Sequence, residues 1–246
     1  MDDFIFGIRA VMEAMAADKS IDRVLLQTKT DSQTHNELFQ LLREKEIAFQ
    51  FVPIEKLNRI TRKNHQGVVA FITQVAYTPL EEIIAGSYES GRDPFILVLD
   101  HLSDVRNFGA IARTAECAGM NGIVIPDKGS VSISSDAVKT SSGALMTLPV
   151  ARVKSLRESV RFIKDAGLTV VAASEKSETI IFDADLSGPI AIILGAEDKG
   201  VSPGLLELAD HSIKIPLYGR IASLNVSVAA SILIYETIRQ RLKTGS

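Results

Sequence analysis

Three segments of this sequence combine glycines with polar or charged side chains directly after apolar runs typical of buried strands. The first, residues 100–115, contains Asn107, Gly109 and Arg113. Gly109 permits close approach of a backbone or a ligand, and Asn107 is expected to cap a helix. Arg113 lies six residues after Asn107, within the next two helical turns. The alternative is a capped helix with an exposed arginine.

The second segment, residues 195–200, is a glycine-flanked acidic loop. Gly195 and Gly200 have the spacing of a phosphate-binding loop, but Val201 stands where that loop needs its lysine. A Gly-x-Gly-x-x-Gly pattern is also absent, which argues against ordinary dinucleotide binding. The loop, which contains Glu197, therefore suits a hydroxyl-rich or cationic ligand. The alternative is a tight turn with solvated charges.

The third segment, residues 215–227, leaves a strand, turns, and enters a helix whose start carries Ser223, Asn225 and Ser227. One helix cap needs one such residue, so three within five positions favour a binding site over simple capping. A fourth segment, residues 139–144, is rich in small residues and could approach a ligand through its backbone.

The elements that must position these segments alternate between strand and helix. We predict strands at 95–99, 122–125, 150–153, 169–173, 190–194 and 213–215, and helices at 107–119, up to 166, and at 224–241. Continuous apolar strands alternating with helices are typical of an α/β fold with a mostly parallel sheet between helices. Ligands bind such sheets at the carboxyl ends of the strands, where the first three segments lie.

The first 76 residues predict a small α/β unit, with helices at 7–17 and 34–46 and strands at 23–27, 48–52 and 67–75. Residues 77–94 contain two prolines and two glycines and are typical of a linker with one short helical turn. The predicted organisation is a domain over 1–76, a linker over 77–94 and a second domain over 95–246.

Composition excludes several classes of protein. Hydrophobic residues make up 46% of the chain and charged residues 23%, as in globular proteins. The net charge of −3 argues against a generic nucleic-acid binder, so any basic surface must be local. Candidates are Arg59, Arg62 and Lys63 beside His65, and a second run of basic residues between 152 and 164.

The chain is not expected to hold a metal or to lie in a membrane. One cysteine cannot form an internal disulfide or a zinc cluster, and the four histidines are scattered. The metalloprotease and serine-hydrolase motifs are absent. The longest apolar run is too short for a membrane span, and the acidic start differs from a signal peptide, so we expect a cytoplasmic protein.

Together the segments resemble the SpoU (TrmH-like) branch of the SPOUT RNA methyltransferases. The family's first motif, Asn-x-Gly-x-x-x-Arg-Thr-Ala, is matched at 107–115, and the second, Gly-x-Glu-x-x-Gly, at 195–200. The third, Ile-Pro-x-x-Gly-x-x-x-Ser-Leu-Asn-Val-Ser, is matched at 215–227. Three ordered motifs form a specific signal, whereas one alone would not. Val105 replaces a common proline before the first motif, so that turn is less rigidly preset.

This resemblance implies a deep trefoil knot in the C-terminal part of the sheet, and a homodimer whose active site lies near the subunit interface. It implies that S-adenosylmethionine, without a metal, is bound by Gly195, Ile215, Leu224, Thr140 and Asn225. Arg113 would activate a ribose 2′-hydroxyl, either by stabilising the alkoxide or by steering a phosphate that takes the proton. The remaining implied catalytic residues are Asn107, Glu197, Ser223 and Asn225.

The N-terminal part narrows the resemblance. Residues 6–11 and 64–70 look like the ribosomal-protein-like RNA-binding domain of large-subunit rRNA guanosine 2′-O-methyltransferases. The resemblance therefore predicts a guanosine of 23S ribosomal RNA as the target, and RNA contacts from Arg9, Arg62, Lys63 and His65. Two alternatives stay open: an rRNA adenosine 2′-O-methyltransferase of the antibiotic-resistance type, and a non-catalytic RNA-binding ribosome assembly factor.

Overall fold

The computed structural model describes residues 4–17, 19–28, 32–45, 47–73, 75–196 and 199–244. The chain divides into two compact units. The first contains residues 1–76 and the short segment 132–136, and the second contains residues 77–131 and 137–246. Within the described residues, none of the helices combines the length and the apolar character that crossing a membrane requires.

The first unit is a four-stranded sheet with helices on both faces. Its elements are β1 (Phe4–Phe6), α1 (Ile8–Ala16), β2 (Ile21–Gln27), α2 (Gln33–Glu44), β3 (Phe49–Val52), α3 (Ile54–Ile60) and β4 (Val68–Ile72). The strand order is β1-β4-β2-β3, and only the β2–β3 pair is parallel. The sequence-based prediction lacks β1 and α3, because three and seven residues are too few to show a clear period.

The second unit is built on a six-stranded sheet of order β10-β8-β9-β5-β6-β7, in which every pair of neighbours is parallel. Its strands are β5 (Phe95–Asp100), β6 (Gly122–Pro126), β7 (Val150–Val153), β8 (Thr169–Ala173), β9 (Ile190–Gly195) and β10 (His211–Ile213). Its helices are α4 (Leu80–Glu89), α5 (Val105–Cys117), α6 (Ser135–Thr140, which spans the boundary between the units), α7 (Leu156–Asp165), α8 (Pro203–Leu206) and α9 (Val226–Thr244). The predicted parallel sheet between helices is confirmed, whereas the trefoil knot stays a prediction.

The predicted linker needs a correction, because ten of its residues form α4. Leu80, Ile83 and Ile84 are buried in the same hydrophobic core as the strand residues Ile96 and Val124. Their spacing places these side chains on one face of a helix, which packs against the sheet. The helix is therefore part of the second unit.

Arg241, near the end of α9, fastens that helix to the amino-terminal edge of the sheet. Its guanidinium donates to the backbone carbonyls of Asp93 and Pro94 at 3.1 Å and of Gly188 at 2.8 Å. It also lies over the ring of Phe95, 5.0 Å from the centroid. Burial lowers the pKa of this guanidinium, so its carbonyl partners offset a real desolvation penalty.

We expect Arg241→Met to lower the free energy of unfolding by about 3 kcal/mol, because three carbonyls lose a charged donor. Urea unfolding followed by circular dichroism would measure the change. The exposed Lys243 on the same helix supplies the control, since Lys243→Met should change stability by about 0.5 kcal/mol at most. Equal effects of the two substitutions would contradict this role of Arg241.

Candidate functional site

A cavity of about 320 Å³ lies at the carboxyl ends of β8, β9 and β10. Its wall is formed by residues 173–176, 194–196, 199–201, 206, 213–215, 217, 222–224 and 226, with Ala229 and Leu233 of α9. The second and third polar segments of the sequence thus meet in space, as the strand-end argument predicts. Gly195, Ile215, Ser223 and Leu224, all expected in the site, line this cavity.

Residue 195 must be glycine, because the chain turns back after β9 and passes very close to it. Residues 196 and 200 form an isolated bridge, in which the Gly200 N–H donates to the Ala196 carbonyl at 2.8 Å. A Cβ atom on residue 195 would lie 1.9 Å from the carbonyl carbon of Gly200 and 2.2 Å from the nitrogen of Val201. Only glycine fits at this close approach of two backbone segments.

The cavity wall combines an apolar part with a polar rim. Leu194, Ile213, Ile215, Leu224 and Val226 supply the apolar part. Ser174, Glu175, Lys176, Lys199, Lys214 and Ser223 supply polar and charged side chains. The volume and this mixture suit a nucleoside-sized ligand with one flat apolar group and several hydrogen-bonding groups.

Asn225 joins the third segment to the first. Its Oδ1 accepts hydrogen bonds from the backbone N–H of Ser227 at 3.0 Å and from the Ser227 hydroxyl at 2.5 Å, which caps α9. Its Nδ2 donates to Oδ1 of Asn107 on α5 at 3.0 Å. Asn225 stands beside the cavity-lining Leu224 in sequence but is itself outside the described lining, so its predicted contact with a cofactor stays a prediction.

The expected helix cap at Asn107 is wrong. Helix α5 begins at Val105, and Oδ1 of Asp104 accepts the backbone N–H of Asn107 at 2.7 Å. Asp and Asn cap helices equally well, and Asp104 takes the position three residues earlier. The side chain of Asn107 is thereby placed within the first turn, where its amide oxygen receives the hydrogen bond from Asn225.

Arg113 is exposed on α5, and it makes no hydrogen bond or ion pair with any residue that the structure describes. One turn earlier, a Cβ on Gly109 would lie 2.6 Å from Cβ of Thr140. Thr140 thus packs against α5 and is not among the described residues that line the cavity. The predicted Glu197 lies outside the described residues.

The predicted RNA contacts of the first unit divide into two kinds. Arg9, Arg62 and Lys63 are exposed. His65 is buried: its Nε2 lies 2.9 Å from Oδ1 of Asn58, and its Nδ1 accepts the N–H of Gly67 at 3.0 Å. The expected RNA contact by His65 is therefore corrected, because both ring nitrogens are used to shape the turn before β4. The sequence alone does not distinguish this turn from a binding loop, because both are rich in small and polar residues.

The second basic run, between residues 152 and 164, is partly used inside the second unit. Lys164 Nζ lies 2.7 Å from Oδ1 of Asp210 and donates to the Leu208 carbonyl at 2.9 Å. Arg152 lies over the ring of Tyr77, 5.2 Å from the centroid. These two cations therefore have structural partners.

The described residues contain no group of three or more His, Cys, Asp or Glu side chains placed to hold a metal ion.

Comparison with known proteins agrees with the two-part organisation. Residues 94–235 match the model of the SpoU rRNA Methylase family, and residues 4–78 match that of an RNA 2′-O ribose methyltransferase substrate-binding domain. The chain belongs to the SpoU methylase family. Among curated relatives, a TrmH family tRNA/rRNA methyltransferase of Bacillus subtilis, YacO, is 34% identical over 243 residues, covering 99% of this SpoU chain and 98% of the relative. A relative of Staphylococcus saprophyticus with the same family name is 34% identical over 241 residues. The match covers 98% of this chain and 97% of the relative.

Solved structures share the fold of this SpoU chain. A SpoU methyltransferase of Streptomyces viridochromogenes, AviRb, crystallised with AdoMet, is 24% identical, with a TM-score of 0.63 over 98% of this chain and 91% of the other. An AdoMet-bound rRNA methyltransferase of Sinorhizobium meliloti is 25% identical, with a TM-score of 0.59. The match covers 96% of this chain and 86% of the other. A structure described as an RNA 2′-O ribose methyltransferase is 28% identical, with a TM-score of 0.57 over 97% and 88%.

We expect Gly195→Ala to disrupt the cavity of this SpoU chain, because the added methyl group overlaps the backbone at residues 200 and 201. The free energy of unfolding should fall by about 3 kcal/mol or more, as for other substitutions that overpack a core. Thermal unfolding monitored by calorimetry measures this loss. Gly86→Ala, in an open position of α4, is the matched control and should be neutral or slightly stabilising. Equal stability of the two variants would show that residues 195 and 200 are not in close contact.

Proposed function

We propose that this SpoU-family chain transfers a methyl group from S-adenosylmethionine to the 2′-hydroxyl of a guanosine ribose in 23S ribosomal RNA, in the cytoplasm. The observation that carries the proposal is the 3.0 Å hydrogen bond between Asn225 and Asn107. It links the segment that walls the cavity to the helix that carries Arg113. The members of all three motifs that the structure describes thus belong to one edge of the sheet.

The cavity is suited to S-adenosylmethionine. Its apolar wall, which includes Leu194, Ile213 and Ile215, can cover an adenine ring. The backbone around Gly195, and the hydroxyl of Ser223, offer polar groups to the ribose and the amino-acid part. The two relatives crystallised with AdoMet have the same fold, which further supports this ligand. S-adenosylmethionine, when bound, supplies a methyl group that is already activated by the positive charge on sulfur.

The residues of the chain must then orient the ribose hydroxyl and allow it to lose a proton. A guanidinium group gives up its proton only far above neutral pH and is too weak an acid to serve as a simple base, so an arginine needs another role here. We propose that the guanidinium of Arg113 stabilises the forming alkoxide or steers an RNA phosphate oxygen that takes the proton. Asn107 and Asn225 hold α5 against the start of α9, which fixes the position of Arg113 relative to the cavity. Ser223 and Glu197 complete the site in this proposal, and Thr140 supports α5 beside it.

A second copy of the chain is part of the proposal. Large apolar side chains are exposed in the segment 215–227 and on α9: Tyr218 is 94% exposed, Ile221 79% and Tyr235 51%. Exposed apolar groups in one region favour a protein interface. We propose a homodimer that covers these side chains and places each active site near the interface.

The target nucleotide is tested by mapping ribose 2′-O-methylation in ribosomal and transfer RNA from cells with and without this protein. The proposal predicts that one methylated guanosine of 23S RNA disappears in its absence. Loss of an adenosine mark would favour the resistance-type alternative, and loss of a transfer-RNA mark would contradict the ribosomal target. An unchanged map in all RNAs would favour the non-catalytic assembly factor.

We expect Arg113→Ala to lower the rate of methyl transfer by about 10²–10³-fold, the usual loss when one charged donor to a developing oxyanion is removed. Binding of S-adenosylhomocysteine should stay near that of the unchanged protein, because Arg113 is outside the described cavity lining. Transfer of a tritiated methyl group to RNA and calorimetric titration measure the two effects. The control is Arg161→Ala, an exposed arginine of α7. A near-normal rate for Arg113→Ala would refute the role given to Arg113.

We expect the double substitution Arg62→Gln, Lys63→Gln to weaken RNA binding, since both cations are exposed in the substrate-binding domain. The slope of log affinity against log salt should fall by about one for each RNA phosphate that the protein no longer neutralises. Filter binding at several salt concentrations measures the slope. Lys19→Gln, another exposed lysine of the same unit, should leave the slope unchanged. Identical slopes for both variants would remove these two residues from the RNA surface.

A further inference from the structure

Asp100 is a buried carboxylate that the proposed reaction leaves without a role. It ends β5, a strand whose six residues are all buried, and only 2% of Asp100 is exposed. In the sheet, Asp100 is paired with Gly195, the residue that residues 200 and 201 approach closely. An ionisable group at such a place is costly to bury unless its oxygens are hydrogen-bonded.

One oxygen of Asp100 holds the loop that follows β9. Its Oδ2 accepts the backbone N–H of Ser202 at 2.8 Å, although the two residues are 102 positions apart. Ser202 directly follows Gly200 and Val201, which both line the cavity. Two contacts therefore hold the chain after β9. The bridge joins residues 196 and 200, and the hydrogen bond to Asp100 holds Ser202.

The other oxygen lies beside the next residue of the chain. His101 Nδ1 lies 3.0 Å from Oδ1 of Asp100. The backbone of His101 has a φ of 61°, in the left-handed region that residues other than glycine rarely adopt. Strained residues of this kind cluster at functional sites, where the surrounding structure holds them. At Asp100, His101 places a ring nitrogen beside the carboxylate oxygen that Ser202 does not use.

We propose that Asp100 is a positioning residue for the cofactor: its carboxylate holds residues 199–202 in the shape that receives S-adenosylmethionine. The identity of the ligand rests on the proposed function above, whereas the loop contact does not. Asp100 acts on the cavity wall. Its loss should therefore lower the affinity for the cofactor and leave the affinity for RNA unchanged. A residue needed only for stability would show no such selectivity.

The test compares Asp100→Ala and Asp100→Asn with a matched control, Asp210→Ala. Asp210 also accepts a backbone N–H with one oxygen, that of Val170 at 2.9 Å, but it does so at the amino end of β8, at the other edge of the sheet. Asp100→Ala should weaken binding of S-adenosylhomocysteine, measured by calorimetry, by about 10-fold or more, because an N–H group of the loop loses its acceptor. KM for S-adenosylmethionine should rise similarly, with KM for RNA unchanged.

Asp100→Asn should keep the affinity within about 3-fold of the unchanged protein, because an amide oxygen still accepts from Ser202. Asp210→Ala should lower thermal stability and leave the affinity of the folded protein unchanged. Unchanged affinity in Asp100→Ala, a loss no larger than that in Asp210→Ala, or failure of Asn to rescue the affinity would each overturn the proposal.

Hydrogen exchange separates this inference from the proposed function, because it needs no ligand. The amide of Ser202 should lose about 10-fold or more of its protection in Asp100→Ala, and none in Asp210→Ala. If the unchanged protein failed to bind S-adenosylhomocysteine, the proposed function would fail while the exchange result still decided the loop contact. Unchanged protection at Ser202 would refute that contact even if the protein binds the cofactor.

Discussion

The site of this protein depends on one close approach of two backbone segments, where the chain returns after β9 and residues 200 and 201 lie against Gly195. The approach leaves no space for a side chain, so the loop can pass beside the strand end only because residue 195 is glycine. The part of the cavity wall formed by residues 195 and 200 is therefore backbone without side chains. A ligand can then be held through N–H and carbonyl groups whose positions are set by the sheet.

Contacts between distant parts of the sequence turn this cavity into a candidate catalytic site. Asn225 and Asn107 join the start of α9 to the first turn of α5, and Ser231 and Thr114, one to two turns further, make a second contact at 3.2 Å. These polar pairs fix one helix against the other more specifically than apolar packing alone. Arg113 lies beside Thr114 on α5, so its position relative to the cavity follows from the same contacts. Arg241 holds the other end of α9 to the sheet.

Much of the fold could be predicted from the sequence, because apolar runs such as residues 95–99 and 190–194 report burial directly. The strand-end rule also predicted that the second and third segments meet at one edge. Local patterns were misleading where an alternative partner competed: Asp104 caps α5 in place of Asn107, and His65 turns inward to Asn58 and Gly67. The helix over residues 80–89 was predicted as only one short turn, because two flanking prolines, a glycine after the helix and a glycine within it suggested a linker. Hydrogen bonds such as that from Ser202 to Asp100 join residues far apart in sequence, and no spacing pattern reveals them.

The two units suggest a division of labour in which the first binds RNA and the second holds the methyl donor. In this division, the cavity at the carboxyl ends of β8, β9 and β10 is the proposed binding site of S-adenosylmethionine. A crystal structure of the full chain grown with S-adenosylhomocysteine tests this claim most directly. We expect electron density for the adenosyl group between Gly195, Ile215 and Leu224. Density for the ligand elsewhere, with this cavity left open, would contradict it.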